Sequence, residues 1–196
     1  MRPARARRTE NAPCGAPRTE SASFARPAHM TPADVIHLLD LLDGRGIRIW
    51  LDGGWAVDAC LGRQTRRHAD LDIVIEQRHL DEVDSMLREM GYGPAPRDDA
   101  RGWNYALGDE AGHEIDFHAI VLNEAGDGIY GPPENGDVYP AEALSGIGSV
   151  DGRAVACITP EWLVRFHSGY ELDENDRADV SALCAKFGIP LPPEYQ

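Results

Sequence analysis

The chain lacks any run near the ~18 consecutive apolar residues that a membrane-spanning helix requires, so no membrane segment is expected. Its four cysteines, Cys14, Cys60, Cys157 and Cys184, show no C-x-x-C or other paired spacing, which points to free thiols in a reducing cytoplasm. No internal repeat is present. Positive charge is scarce outside the first 29 residues. Those 29 carry six arginines and two glutamates, a net of +4, so the −14 of the whole chain leaves −18 on the remainder. A body that acidic is a poor partner for nucleic acid and suits a small cationic ligand. Residues 1–29 also lack large apolar side chains. With little surface to bury against chain entropy, they are expected to form a disordered tail rich in Arg, Ala and Pro, or an over-long start preceding an initiator at Met30. A targeting peptide is the alternative, disfavoured by the missing apolar segment.

What is present concentrates between Trp50 and Glu76. An apolar strand (Ile47, Ile49, Leu51) leads into Gly53-Gly54, then a short helix from Trp55 to about Leu61, a basic loop with Arg63, Arg66, Arg67 and His68, and a second strand with Asp70 and Asp72. Residues i and i+2 of a strand share a face, so the two carboxylates project side by side. Adjacent like charges are costly unless a proton or cation lies between them, and Mg²⁺ prefers such hard oxygen ligands. The paired glycines let the backbone approach a phosphate closely and place N–H groups at a helix start. Singly, a Gly-Gly is usually a turn and a D-x-D a solvated strand end. In this order within one β-α-β span they indicate a metal-assisted phosphate-transfer site.

The stretch G-G-W-A-V-D-A-C-L-G-R-Q-T-R-R-H-A-D-L-D-I-V-I, with E-I-D-F-H (114–118), I-Y-G-P-P-E-N-G (129–136) and F-H-S-G-Y (166–170), resembles the small antibiotic nucleotidyltransferases. These are the lincosamide and the aminoglycoside 2''-O-nucleotidyltransferases of the DNA polymerase beta superfamily. The superfamily's usual Gly-Ser pair is Gly53-Gly54 here, which leaves phosphate binding to backbone amides. The resemblance implies a third acid on a neighbouring strand. In 113–122, Glu114, Asp116 and His118 share one face while Ile115, Phe117, Ala119 and Val121 share the other. Asp116 thus completes the set if that strand lies beside Asp70 and Asp72. It would act as metal ligand or general base, with Glu114 as the second choice of base. His113 and His118 read as strand-surface or partly buried polar groups.

The other segments read more simply. Thr31-Pro32-Ala33-Asp34 starts a helix ending near Gly44. Residues 78–90 form an amphipathic helix, 92–101 a loop, and 103–107 a strand. Residues 123–140 form a long loop that either covers a substrate or is a surface Ω-loop. Asp151-Gly152 turns a hairpin, and helices follow from Thr159 and over about 175–187. Trp162, Phe166 and Tyr170, at spacing four, read as a packing stripe.

The expected fold is α+β, a short nucleotidyltransferase-type mixed sheet flanked by helices. Residues 30–158 would form the catalytic domain and 159–196 a helical element packed on it or on a partner subunit. The expected site has Asp70, Asp72 and Asp116 as catalytic metal ligands, with Gly53, Gly54, Arg66 and His68 holding the nucleotide. As the resemblance implies it, Mg²⁺-dependent transfer of a nucleoside monophosphate from an NTP such as ATP modifies an antibiotic hydroxyl, a lincosamide by preference and an aminoglycoside 2''-hydroxyl as the alternative. Modification of a protein or RNA, or nucleotide binding without catalysis, stays open. The resemblance also suggests a homodimer whose stripe or 123–140 loop completes the neighbour's acceptor pocket.

Overall fold

The computed structural model describes residues 29–98, 100–168 and 171–196. The sequence's tail before His29, with Cys14, and Tyr170 of the aromatic stripe lie outside the described residues.

Helix α1 (Pro32–Asp43) begins at a capping box in which Thr31 and Asp34 satisfy each other's backbone N–H, and its buried face is Val35, Leu38, Leu39 and Leu42. Strand β1 (Ile49–Leu51) is buried on both faces because it lies inside the sheet. Helix α2 (Gly53–Leu61) follows after the single capping residue Asp52, so the two glycines are its first helical residues rather than a turn before it. Strand β2 (Asp70–Glu76) then pairs antiparallel with β1.

Helix α3 (Leu80–Glu89) packs Val83, Met86 and Leu87 inward. The 92–101 segment, expected as loop, contains strand β3 (Gly93–Ala95), which pairs with β4 (Asn104–Gly108). Pro94 is tolerated there because β3 is an edge strand, where a missing N–H removes no ladder bond. Strand β5 (Glu114–Leu122) runs parallel to β2 and antiparallel to β4. The 123–140 segment is likewise not all loop: β6 (Gly128–Tyr130) pairs with the end of β5, and β7 (Val138–Tyr139) with β6.

A hairpin of β8 (Gly146–Val150) and β9 (Arg153–Cys157) turns at Asp151 (φ 47°) and Gly152 (φ 81°), both left-handed as a type I′ turn requires. β9 pairs parallel with β1. Among the described residues the sheet has nine strands, with main order β3-β4-β5-β2-β1-β9-β8. It is mixed, as expected, but not short, because the segments read as loops extend it.

Helices α4 (Pro160–Phe166) and α5 (Glu174–Phe187) share the core through Leu163, Val164, Val180 and Leu183. Lys186 Nζ donates to the carbonyls of Cys60 and Leu61 at 2.9 Å, closing the C-terminus of α2. Cys60, Cys157 and Cys184 are free and buried. No helix among the described residues is long and apolar enough to cross a membrane.

Candidate active site

Parallel pairing of β2 with β5 sets Asp70 opposite Glu114 and Asp72 opposite Asp116. Because side chains alternate, all four carboxylates occupy one face as two rungs. Ligand atoms of Asp72 and Asp116 on the inner rung, and of His118 one rung further along the same face, lie within 4.8 Å of one another. Asp116 is 6% exposed, and its Oδ1 has no hydrogen-bond partner. A buried carboxylate oxygen left unsatisfied is costly, and hard oxygen donors converging beside it fit a divalent cation such as Mg²⁺. Asp70 stands on the outer rung with its side chain 43% exposed.

Arg97 was not foreseen as a site residue. Its guanidinium contacts Asp116, reaches Glu114 at 3.3 Å and lies 3.9 Å from Asp70. The ladder explains its position: Ala95, Ala106 and Asp116 align across β3, β4 and β5, and Arg97 follows Ala95 by two residues.

Burial raises the pKa of Asp70, with the charge of Asp72 adding to it. Burial also raises Asp116, against the lowering effect of His118. For Asp72 burial acts upward too, but His118 and Arg97 outweigh it and hold the carboxyl below its ordinary range. His118 would be lowered by burial, yet Asp72 and Asp52 push it up to about 9. Its folded pKa exceeds the unfolded value of about 6.5, so its stabilisation is complete below that pH and lost as pH rises through 9. The melting-temperature gap between wild type and His118→Gln, both metal-free, should therefore shrink from pH 6 to pH 10. A gap independent of pH would remove the charge from His118.

His118 is tied to the start of α2. Tyr139 Oη donates to Asp52 Oδ2 at 3.0 Å and lies 2.9 Å from His118 Nδ1, while Asp52 Oδ1 accepts from Gly53 N–H at 2.9 Å. Tyr139→Phe leaves Asp52 and His118 each short of a buried partner and should cost about 1–3 kcal/mol. An unchanged urea midpoint and slope would show that the link carries no stability.

Gly53 has φ 53°, and a Cβ there would collide with the Asp72 carboxylate. A Cβ on Gly54 would come within 2.5 Å of both Arg66 Nη2 and His68 Nδ1. The expected residues Gly53, Gly54, Arg66 and His68 are thus brought together, with Gly53 against Asp72. They do not all face a ligand, however. His68 is 2% exposed and its Nε2 is locked to Asp58 Oδ2 at 2.5 Å, so its place is behind Gly54 and not on the cavity wall. Arg66 pairs with Asp179 of α5 at 2.9 Å.

A cavity of about 500 Å³ opens beside Asp72 and His118. Asp52, Gly53, Asp137 and Val138 contribute to its walls, and Tyr130, Tyr139 and Phe166 form an aromatic side. Phe166 meets Tyr139 edge-on at 5.1 Å, so it faces its own chain's cavity, as does the 123–140 segment. Trp162 packs on Phe166 at 5.5 Å.

A mixed sheet carrying paired carboxylates against a glycine-started helix defines a nucleotidyltransferase. The chain belongs to the aminoglycoside-2''-adenylyltransferase family, whose family model matches residues 34–183. It is 33% identical to a lincosamide resistance protein from Staphylococcus haemolyticus over 159 residues, 79% of this chain and 95% of that one. A 2''-aminoglycoside nucleotidyltransferase from Klebsiella pneumoniae is 36% identical, but over 81 residues, 41% of this chain and 45% of that one. Among solved structures, the lincomycin-bound lincosamide antibiotic adenylyltransferase LnuA superposes with a TM-score of 0.71 at 32% identity, covering 83% of this chain and all of that one. ANT(2'')-Ia in complex with adenylyl-2''-tobramycin shares the fold, with a TM-score of 0.63 at 21% identity over 79% of this chain and 88% of that one.

Proposed function

We propose that this protein transfers adenylate from ATP to a hydroxyl of a lincosamide and releases pyrophosphate. The observation that carries the reading is the aromatic-walled cavity beside the inner carboxylate rung, which has room for an acceptor next to the acids. Support for the acceptor class comes from likeness to the lincosamide resistance protein along 95% of its length, against 45% for the aminoglycoside enzyme. The wall chemistry agrees. Tyr130, Tyr139 and Phe166 offer stacking and cation–π contact to one protonated amine beside apolar surface, whereas a polycation would need more acids than Asp52, Asp72 and Asp137.

In this reading Asp72 and Asp116, with Asp70 at the outer rung, would hold Mg²⁺. When bound, the ion would neutralise charge on the triphosphate and polarise the α-phosphoryl group. Helix N-termini leave their first N–H groups without intrahelical partners; Gly53 N–H is taken by the capping Asp52, so phosphate would be received by the start of α2 from Gly54 onward, with Gly53 giving it room to approach. Arg66 adds positive charge beside it, and His68 supports Gly54 from behind. The acceptor hydroxyl lies in the cavity. Asp116, beside Asp72 on the inner rung, would take its proton as it attacks in line; Glu114 is held farther out, by Arg97.

The test is pyrophosphate release by purified protein with Mg²⁺ and ATP or GTP, against lincomycin and tobramycin. Release with ATP and lincomycin is expected. Release with tobramycin alone would transfer the assignment to the aminoglycoside 2''-hydroxyl, and release with neither would leave the protein- or RNA-modifying and non-catalytic readings.

A further inference from the structure

We propose that Arg97 is a resident cation of the carboxylate site, on the Asp116 side as His118 is on the Asp72 side: it holds Asp116, Glu114 and Asp70 in register, and it must yield its contact when a divalent ion binds. The proposal rests on the reading of Asp72 and Asp116 as metal carboxylates.

Arg97 bridges the two rungs, contacting Asp116 on the inner one and Glu114 and Asp70 on the outer one. Four carboxylates on one sheet face repel one another, and a cation spanning three of them relieves much of that repulsion. Asp116 is divided. Its Oδ2 is taken by Arg97, while its buried Oδ1 has no partner. A divalent ion bridging Asp72 and Asp116 would bring two positive charges up to a guanidinium already seated on Asp116. Like charges so close in a partly buried site are strongly unfavourable, so ion and guanidinium compete for one carboxylate.

Arg97 is placed to withdraw. It emerges just past the edge strand β3, and its side chain is 30% exposed. Once displaced, the guanidinium needs another anion, and a triphosphate is the one the proposed reaction brings. Metal and nucleotide binding are thereby coupled through a positioning residue, with weak metal affinity before nucleotide arrives.

Mn²⁺ binding, followed by electron paramagnetic resonance without nucleotide, tests this in wild type, Arg97→Gln, Arg97→Lys and Asp72→Asn. Arg97→Gln should tighten Mn²⁺ by about tenfold, within the usual range for coupled sites, while Arg97→Lys, which keeps the charge, should stay much closer to wild type. Unchanged affinity in Arg97→Gln, with Asp72→Asn still weakening it, overturns the role of Arg97 alone. Binding indifferent to Asp72→Asn overturns the metal reading itself. Should Arg97→Gln fail to fold, the wild type decides: phenylglyoxal labelling of Arg97, mapped by peptide mass spectrometry, should accelerate several-fold on adding Mn²⁺. A labelling rate that ignores the ion rejects displacement.

Discussion

Asp72→Asn is expected to lower nucleotidyl transfer by about a thousandfold or more while leaving the fold in place. The amide keeps the shape of the side chain but removes a formal charge from the point where ligand atoms of Asp72, Asp116 and His118 converge. A metal site is worth several kcal/mol of transition-state stabilisation, and each ~1.4 kcal/mol lost is a factor of ten in rate. Stability should change far less. The substitution removes repulsion from Asp70 and Asp116 along with attraction to His118 and Arg97, and the backbone bond from Asp52 N–H to the Asp72 carbonyl is untouched. Asp70→Asn should act in the same direction but less, since Asp70 stands on the exposed outer rung. Steady-state rates at saturating Mg²⁺ with matched melting curves make the comparison. An Asp72→Asn rate within tenfold of wild type would take Asp72 out of the metal assignment.

The acid pair was legible because it depends on a period of two, which any strand imposes. Once β2 and β5 are neighbours, the hydrophobic alternation of Leu71 and Ile73 with that of Ile115 and Phe117 fixes the face that the acids share, and the register observed sets Asp72 opposite Asp116. The hairpin at Asp151-Gly152 and the cap at Thr31 were legible for the same kind of reason, a local backbone requirement met by local residues. Val121 shows where the pattern misleads. It continues the apolar alternation of β5 but is 54% exposed, since the β2 pairing ends at Glu76–Ile120 and only the short β6 lies beyond.

Arg97 and Tyr139 escaped notice because their partners are distant along the chain and reached only through strands of two or three residues. β3, with a proline in its centre, looks like loop until the edge position of the sheet makes that proline harmless. β6 and β7 are hidden by the glycines around them, yet they carry Tyr130 and Tyr139 to the cavity. His68 was recognisable as belonging with Gly54 but not as buried. Its partner Asp58 sits on the inner side of α2, a short helix whose few residues give little periodicity to read.

The glycine pair yields the second large effect. Gly53→Ala must pay twice, for a non-glycine residue at φ 53° and for a methyl group in the space of the Asp72 carboxylate. The backbone term alone is about 1–2 kcal/mol, and relieving the collision means moving a carboxylate assigned to the metal. Transfer should fall at least a hundredfold, with unfolding free energy lower by about 2 kcal/mol. Gly54→Ser separates packing from chemistry. A serine there supplies a hydroxyl at the start of α2, so a missing phosphate contact would predict a faster enzyme. The geometry predicts a slower one, because a Cβ meets His68 Nδ1 and Arg66 Nη2 at 2.5 Å. Arg66 is the longer side chain and can shift, although its pairing with Asp179 opposes this. His68 cannot, being held by Asp58 and tilted against Trp55 at 4.8 Å. Gly54→Ser should therefore cost less activity in a His68→Ala background than alone, the non-additivity expected of side chains competing for one space. If the two losses simply add, or Gly54→Ser speeds transfer, His68 is not what fixes glycine at this position.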